Sequence, residues 1–196
     1  MRKVQLAIFD IAGTTVKDKG NVSIAFRDAF KAYDRSVSIK EVNHVMGFRK
    51  KDAIRLLLEK QPVTTTGDTE ELIRAIHDAF TRNIMASYES DDALQPMPFA
   101  EAIFEALQQR GIKVALNTGF TRVVTHAILE RLQWTRLQTI DMVVCSDEVP
   151  QGRPHPFMVK AIMQHLQIAD SSAIVKVGDT PVDIQEGRAA GCGLVV

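Results

Sequence analysis

The stretch VQLAIFDIAGTTV (residues 4–16) is almost unbrokenly apolar up to one carboxylate, Asp10, and then turns into small and hydroxyl-bearing residues. The apolar part predicts a buried strand over residues 4–9. An acid at the tip of such a strand sits where open parallel sheets bind ligands, beyond the carboxyl ends of their strands. The residue two places further on, Ala12, carries no reactive group.

Outward from that strand, the pattern becomes helical. Val22, Ala25, Phe26, Ala29 and Phe30 recur at helical spacing, which predicts a helix over residues 22–33, and further helices are expected over 50–60 and 70–87. Residues 16–95 therefore read as wholly helical. QPMP (residues 95–98) is a strong breaker and marks the return of the chain. From residue 99, helices at 101–110, 121–132, 157–166 and 182–190 alternate with strands at 113–116, 142–145, 173–177 and 194–196. Gly111 and Gly191 close two of these helices. This alternation implies an α/β fold with a doubly wound parallel sheet. Residues 1–16 and 97–196 form its core domain, and residues 17–96 form a helical domain inserted after the first strand.

Bulk composition narrows the function. The chain has 196 residues with 24 Lys+Arg against 24 Asp+Glu, so no global charge favours nucleic acid or an anionic membrane as a partner. No apolar run is long enough to span a bilayer, and residues 4–9 lack the shape of a signal peptide. Cys145 and Cys192 lie in separate apolar segments without metal-type spacing. They read as core thiols of a reduced, cytoplasmic protein.

Four loops carry the polar residues. FDIAGTT supplies Asp10, LNTG supplies Thr118, GRPHP supplies Arg153, and VGDTPVD supplies Asp179 and Asp183. In a parallel sheet all four share one rim. Carboxylates without a His or Cys cluster suit a hard cation such as Mg²⁺. Arg153 and the Thr118 hydroxyl suit a phosphoryl group, and the backbone N–H groups of GTT can cradle an anion. An aspartate beside Mg²⁺ can attack phosphorus to form an aspartyl phosphate.

The ordered set FDIAGTTV, LNTG, GRPHP and VGDTPVDIQEG closely resembles the haloacid dehalogenase-like hydrolases, with the helical insertion where that superfamily carries its cap domain. The resemblance covers essentially the whole chain. It implies Asp10 as nucleophile and metal ligand, with the Ala12 carbonyl and Asp179 as further Mg²⁺ ligands and Asp183 in support. It also implies Thr118 and Arg153 on the phosphoryl oxygens, and Gly13, Thr14, Met46 and Gly119 around the substrate.

Most phosphatases of that superfamily have a second aspartate where this chain has Ala12. Losing a general acid/base typically lowers the rate by about 10²–10⁴-fold, so ordinary phosphomonoester hydrolysis is expected to be poor. DIAGTTV is similar to the first motif of the phosphonoacetaldehyde hydrolases, which also have alanine there. Those enzymes break a carbon–phosphorus bond through an imine between a cap lysine and the substrate aldehyde. VMGFRKKDAI resembles their cap segment and implies Lys50 as the imine-forming lysine, with Met46 beside it. Arg49, Lys51 and the positive end of a helix starting near Phe48 are expected to lower the Lys50 pKa from about 10.4, and burial to add to that.

Two departures stand out. Ala53 replaces a histidine expected three residues after the lysine, with His44 as the conceivable substitute. Relatives also continue past GLVV, so the last strand is expected to leave an edge uncovered and to invite dimerisation. The apolar first cap helix is a second candidate surface for a homodimer. His126, His165 and Trp134 read as structural. The alternatives are a phosphatase acting on a small phosphomonoester or acyl phosphate without imine chemistry, and a binding module that has lost turnover.

Overall fold

Every residue of the first strand, β1 (Leu6–Asp10), is buried, which requires cover on both faces. In the computed structural model, which describes residues 3–61, 69–89 and 94–196, that cover comes from helices on either side. Leu6 and Ile8 join one apolar cluster, while Ala7 and Phe9 join another, as the two-residue period of a strand dictates.

After β1 come α1 (Asn21–Lys31), α2 (Ile39–His44), α3 (Lys50–Glu59) and α4 (Thr69–Ser87). The remainder alternates: α5 (Ala100–Gln108), β2 (Lys113–Thr118), α6 (Arg122–Arg131), β3 (Met142–Cys145), α7 (Phe157–His165), β4 (Ile174–Val177), α8 (Pro181–Ala190) and β5 (Leu194–Val195). The five strands are parallel in the order β3-β2-β1-β4-β5, so the chain winds outward from β1 in both directions. This is the expected α/β doubly wound sheet. Met158, Val159 and Ile162 of α7 cover Leu6 and Ile8. On the opposite face the Phe9 ring meets Phe104 of α5 edge-on at 5.5 Å, and Phe104 meets Trp134 in the same way.

The sequence reading differs from the structure at three places. β2 extends past residue 116 to Thr118, because Asn117 and Thr118, though polar, are buried and pair with Asp10 and Cys145 in the sheet. The short helix α2 was not expected. Its signal is a capping box, in which Ser38 and Glu41 bond reciprocally, but it buries only Val42 and so shows no apolar stripe. The apolar face of α1, a candidate dimer surface, is instead buried within the chain. Val22, Ala25, Phe26, Ala29 and Phe30 are all covered, with Phe26 and Phe80 of α4 at 4.5 Å.

The two connections between the helical segment and the sheet run side by side. Lys17 N–H donates to the Gln95 carbonyl at 2.9 Å and Met97 N–H to the Thr15 carbonyl at 2.8 Å, with Val16 and Pro96 bridged antiparallel. Of the segment read as wholly helical, residues 62–68 and 90–93 lie outside the described residues. No helix of the described residues is long and apolar enough to cross a membrane. The last strand, β5, lies at one edge of the sheet, and Leu194 and Val196 are exposed.

Candidate active site

Register brings the predicted loops together. Asp10 pairs with Asn117 and Thr118 with Cys145, so their carboxyl ends reach the same rim as Gly178 and Asp179 after β4. Asp10, Ala12, Met46, Lys50, Thr118, Gly119 and Asp179 all line one cavity of about 50 Å³. The cavity shares Asp18, Met46, Asp179 and Thr180 with a wider groove of about 610 Å³ between α1, α2 and the start of α8.

Gly13 turns the chain after β1 with φ +93°, and a Cβ there would collide with the Asp179 carboxylate. Thr14 Oγ1 donates to Asp179 Oδ1 at 3.2 Å, and Thr15 Oγ1 donates to the Asp10 carbonyl at 2.9 Å. The hydroxyls of GTT therefore brace the Asp179 carboxylate and the backbone at Asp10. Thr118 is buried, and its Oγ1 accepts from Phe120 N–H at 3.2 Å.

Arg153 is fully buried, and its Nε, Nη1 and Nη2 all donate to protein acceptors. Nη1 donates to Asp10 Oδ1 at 2.6 Å and lies 3.1 Å from Asp183 Oδ1. Nε donates to Glu186 Oε2 at 3.0 Å, and Nη2 donates to Asn117 O and Oδ1 at 2.8 and 2.7 Å. In this arrangement all three nitrogens of the guanidinium are engaged by protein acceptors. Its direct effect here is on the nucleophile candidate. Burial pushes the Asp10 carboxyl up to about 6, while the Arg153 charge pulls it back, so Asp10 is ionised near neutral pH.

Asp183 is equally engaged. Lys176 Nζ donates to its Oδ1 at 2.6 Å, and Thr180 caps α8 by bonding its Oδ2, a capping box with Pro181 in the first turn. The opposing charges of Arg153 and Lys176 hold Asp183 below the usual carboxylate range despite its burial. Lys176, Glu186 and Asn117 were not singled out in the sequence. The signal for Lys176 was a lysine inside the apolar strand IVKV, whereas Glu186 is one more polar residue on a mixed helix.

The ammonium of Lys50, the first residue of α3, is buried. Nζ lies 4.7 Å from the Phe120 ring centre and 5.9 Å from that of Phe26, and it donates to the Phe48 carbonyl at 3.3 Å. Burial lowers its pKa to about 8, against the attraction of Asp10. Burial, expected only to add to the shift, is its largest cause. Lys51 is exposed and the Arg49 guanidinium is turned onto carbonyls of the loop after β3, so the cation that adds to the depression is Arg153.

His44 does not enter the inner cavity. It is exposed, with Nδ1 2.6 Å from the Lys40 carbonyl. Ala53 is completely buried. His77 on α4, unremarked in the sequence, has a buried Nδ1 without a hydrogen bond, and burial with the charges of Lys51 and Lys50 lowers its pKa. His126 is exposed near Glu130, and Trp134 is a core residue whose Nε1 donates to Glu101 at 2.6 Å.

The donor set suits a hard cation. The cavity is lined by two carboxylates, Asp10 and Asp179, together with Ala12, and the described residues offer no three-residue His/Cys/Asp/Glu cluster. Two carboxylates completed by a carbonyl and waters match Mg²⁺, which keeps much of its hydration. Four acids, Asp10, Asp179, Asp183 and Glu186, also outnumber the two basic groups paired with them, Arg153 and Lys176.

Comparison with known proteins agrees with this arrangement. The family model of the haloacid dehalogenase-like hydrolases matches residues 7–196. The phosphonoacetaldehyde hydrolase of Bordetella pertussis is 33% identical, over 96% of this chain and 70% of its own length. That of Bacteroides fragilis is 31% identical, over 95% and 73%. Among solved structures, a phosphonoacetaldehyde hydrolase-like protein from Oleispira antarctica superposes with a TM-score of 0.86 at 26% identity, covering 98% of this chain and 72% of that one. A predicted phosphoglycolate phosphatase from Haemophilus somnus shares the fold, with a TM-score of 0.76 at 18% identity over 99% and 85%. With its winding order, its rim of acids and a family match that spans nearly all of its length, the chain belongs to the haloacid dehalogenase-like hydrolases.

Proposed function

We propose that this hydrolase cleaves the carbon–phosphorus bond of a small aldehyde phosphonate of the phosphonoacetaldehyde type, with residues 17–96 acting as a cap. The observation that carries the reading is Lys50: a buried amine with a pKa of about 8, lining the same small cavity as Asp10. A lysine that is neutral for part of the time near neutral pH is competent to attack a carbonyl. The phosphonoacetaldehyde hydrolases of Bordetella pertussis and Bacteroides fragilis support the substrate class.

The chemistry follows from the arrangement. The Lys50 amine adds to the aldehyde and water leaves, giving an imine. Asp10 then attacks phosphorus, and the electron pair of the C–P bond moves into the imine to leave an enamine. The enamine takes up a proton and is hydrolysed to free aldehyde and Lys50, and water releases phosphate from Asp10. This route explains why Ala12 is tolerated, since no alkoxide leaving group needs a proton. Arg153 holds Asp10 in place and ionised, Thr118 and the backbone at Gly13 and Gly119 receive the phosphoryl oxygens, and Met46 packs beside the imine. Asp10, Asp179 and the Ala12 carbonyl would hold Mg²⁺, which draws negative charge off the phosphoryl group when bound. Asp183 supports them from behind through Lys176 and Arg153. A reducing cytoplasmic setting suits the two unpaired thiols, both pushed well above their ordinary pKa by burial.

Borohydride added during turnover of phosphonoacetaldehyde should reduce the imine and label Lys50, as read by mass spectrometry. Lys50→Arg should neither trap nor turn over. Full activity in Lys50→Arg would refute the imine. The buried Ala53 cannot relay a proton, and this favours a second reading, a phosphatase acting on an acyl phosphate or a phosphomonoester. Phosphate release from those substrates with none from phosphonoacetaldehyde selects it.

A further inference from the structure

Three loops of the sheet rim close on the short segment that leads into α3. A Cβ on Gly119 would strike the carbonyls of Phe48 and Gly47, and one on Gly47 would strike Thr180. A Cβ on Gly152 would lie 2.8 Å from that of Arg49. The strongest polar tie in this contact is Arg49. Its Nε donates to the Ser146 carbonyl at 2.9 Å and its Nη1 to the Pro150 carbonyl at 3.1 Å. Its Nη2 adds bonds to the carbonyls of Ser146 and Val149. One guanidinium thus reads three carbonyls of a loop about a hundred residues away in sequence, and the next residue is Lys50.

We propose that Arg49 is a positioning residue, a latch that fastens the start of α3 to the loop after β3 and so keeps the Lys50 amine inside the cavity. The planar fork is what the job requires, since its donors diverge toward several acceptors at once. Each hydrogen bond from the charged guanidinium holds the docked segment more firmly than a neutral donor would. A lysine at position 49 reaches one or two of the carbonyls and holds the segment less firmly. The apolar nest formed by Phe26 and Phe120 accepts Lys50 only while this segment stays down.

The importance of the latch for turnover rests on the reading of Lys50 as the imine-forming lysine. Its effect on Lys50 exposure does not, so the experiment omits substrate. The intact protein is acylated with acetic anhydride at about pH 10, near the ordinary lysine value, and modification of Lys50 and of Lys176 is followed by mass spectrometry. Lys176 is buried under the sheet and reports general loosening of the fold. Arg49→Ala, which removes all of these bonds, should raise Lys50 acylation by about tenfold or more, with Lys176 unchanged. Arg49→Lys should restore most of the protection. Unchanged Lys50 acylation in Arg49→Ala, or a parallel rise at Lys50 and Lys176, overturns the proposal. If Arg49→Ala fails to fold, Gly152→Ala decides by the same ratio, because its methyl group pushes Arg49 off the loop.

Discussion

Lys50 carries a charge that its surroundings oppose. Folding moves its pKa from 10.5 to about 8, chiefly by burial. Below pH 8 the amine is protonated in both folded and unfolded chains, and the folded chain bears the full penalty. Between 8 and 10.5 only the unfolded chain keeps the proton, and the penalty fades as pH rises. Lys50→Met keeps the buried stem and removes the charge, so it should stabilise the protein by roughly 2–3 kcal/mol at pH 7 and abolish turnover. Urea unfolding at pH 7 and pH 9.5 should show the gain shrinking at the higher pH. Gly13 is decisive in another way. Gly13→Ala places a methyl group against the Asp179 carboxylate in a backbone conformation that disfavours any side chain. Calorimetric titration should show Mg²⁺ affinity reduced about tenfold or more, in line with what displaced support of a ligand costs.

At the level of elements, β4 and α8 act as a unit. Lys176, inside β4, neutralises Asp183 on α8 at 2.6 Å and lies 3.9 Å from Glu186 one turn later. Removing Lys176 from this buried network leaves Asp183 and Glu186 to share the single charge of Arg153. Lys176→Met should therefore destabilise the fold by about 3–5 kcal/mol, read as a lower midpoint of urea unfolding, and should raise the pH needed for Asp10 to act. The capping box explains why α8 starts where it does. Thr180, Pro181 and Asp183 form a start signal readable from sequence, and Gly191 a stop with φ +77°. The same residues also hold Asp183 against the site, a role that no helix rule announces.

For the whole molecule, the connections at residues 15–17 and 95–97 pair with each other where the chain crosses between the sheet and the helical segment. The site is complete only when the two parts meet, because Lys50 and Met46 come from one and Asp10, Thr118 and Asp179 from the other. If Lys50 attacks the aldehyde, kcat/KM for phosphonoacetaldehyde should rise with pH up to about 8 as the amine loses its proton. A pH–rate profile checks this, and the rise toward pH 8 should be absent for a simple phosphomonoester, which needs no imine.

What the chain states locally, it states clearly. β1 announces itself by an apolar run, α4 and α5 by helical period, and the parallel sheet by alternation of the two. These patterns depend on neighbours within one or two turns, and so survive without coordinates. The strand-end acids could also be read, because a parallel sheet sends every such loop to one rim. α2 escaped because it buries one residue, and Glu186 because a buried acid on a helix looks like a solvated one until its partners are known. Only the tertiary structure decided that Arg153 bonds to Asp10, Asn117 and Glu186 and pairs with Asp183, that α1 packs inward on α4, and that Lys50 owes its altered acidity chiefly to burial rather than to Arg49 and Lys51. Each of those outcomes is a matter of solvent exclusion and of distances between residues far apart in the chain, quantities that exist only after the chain has folded.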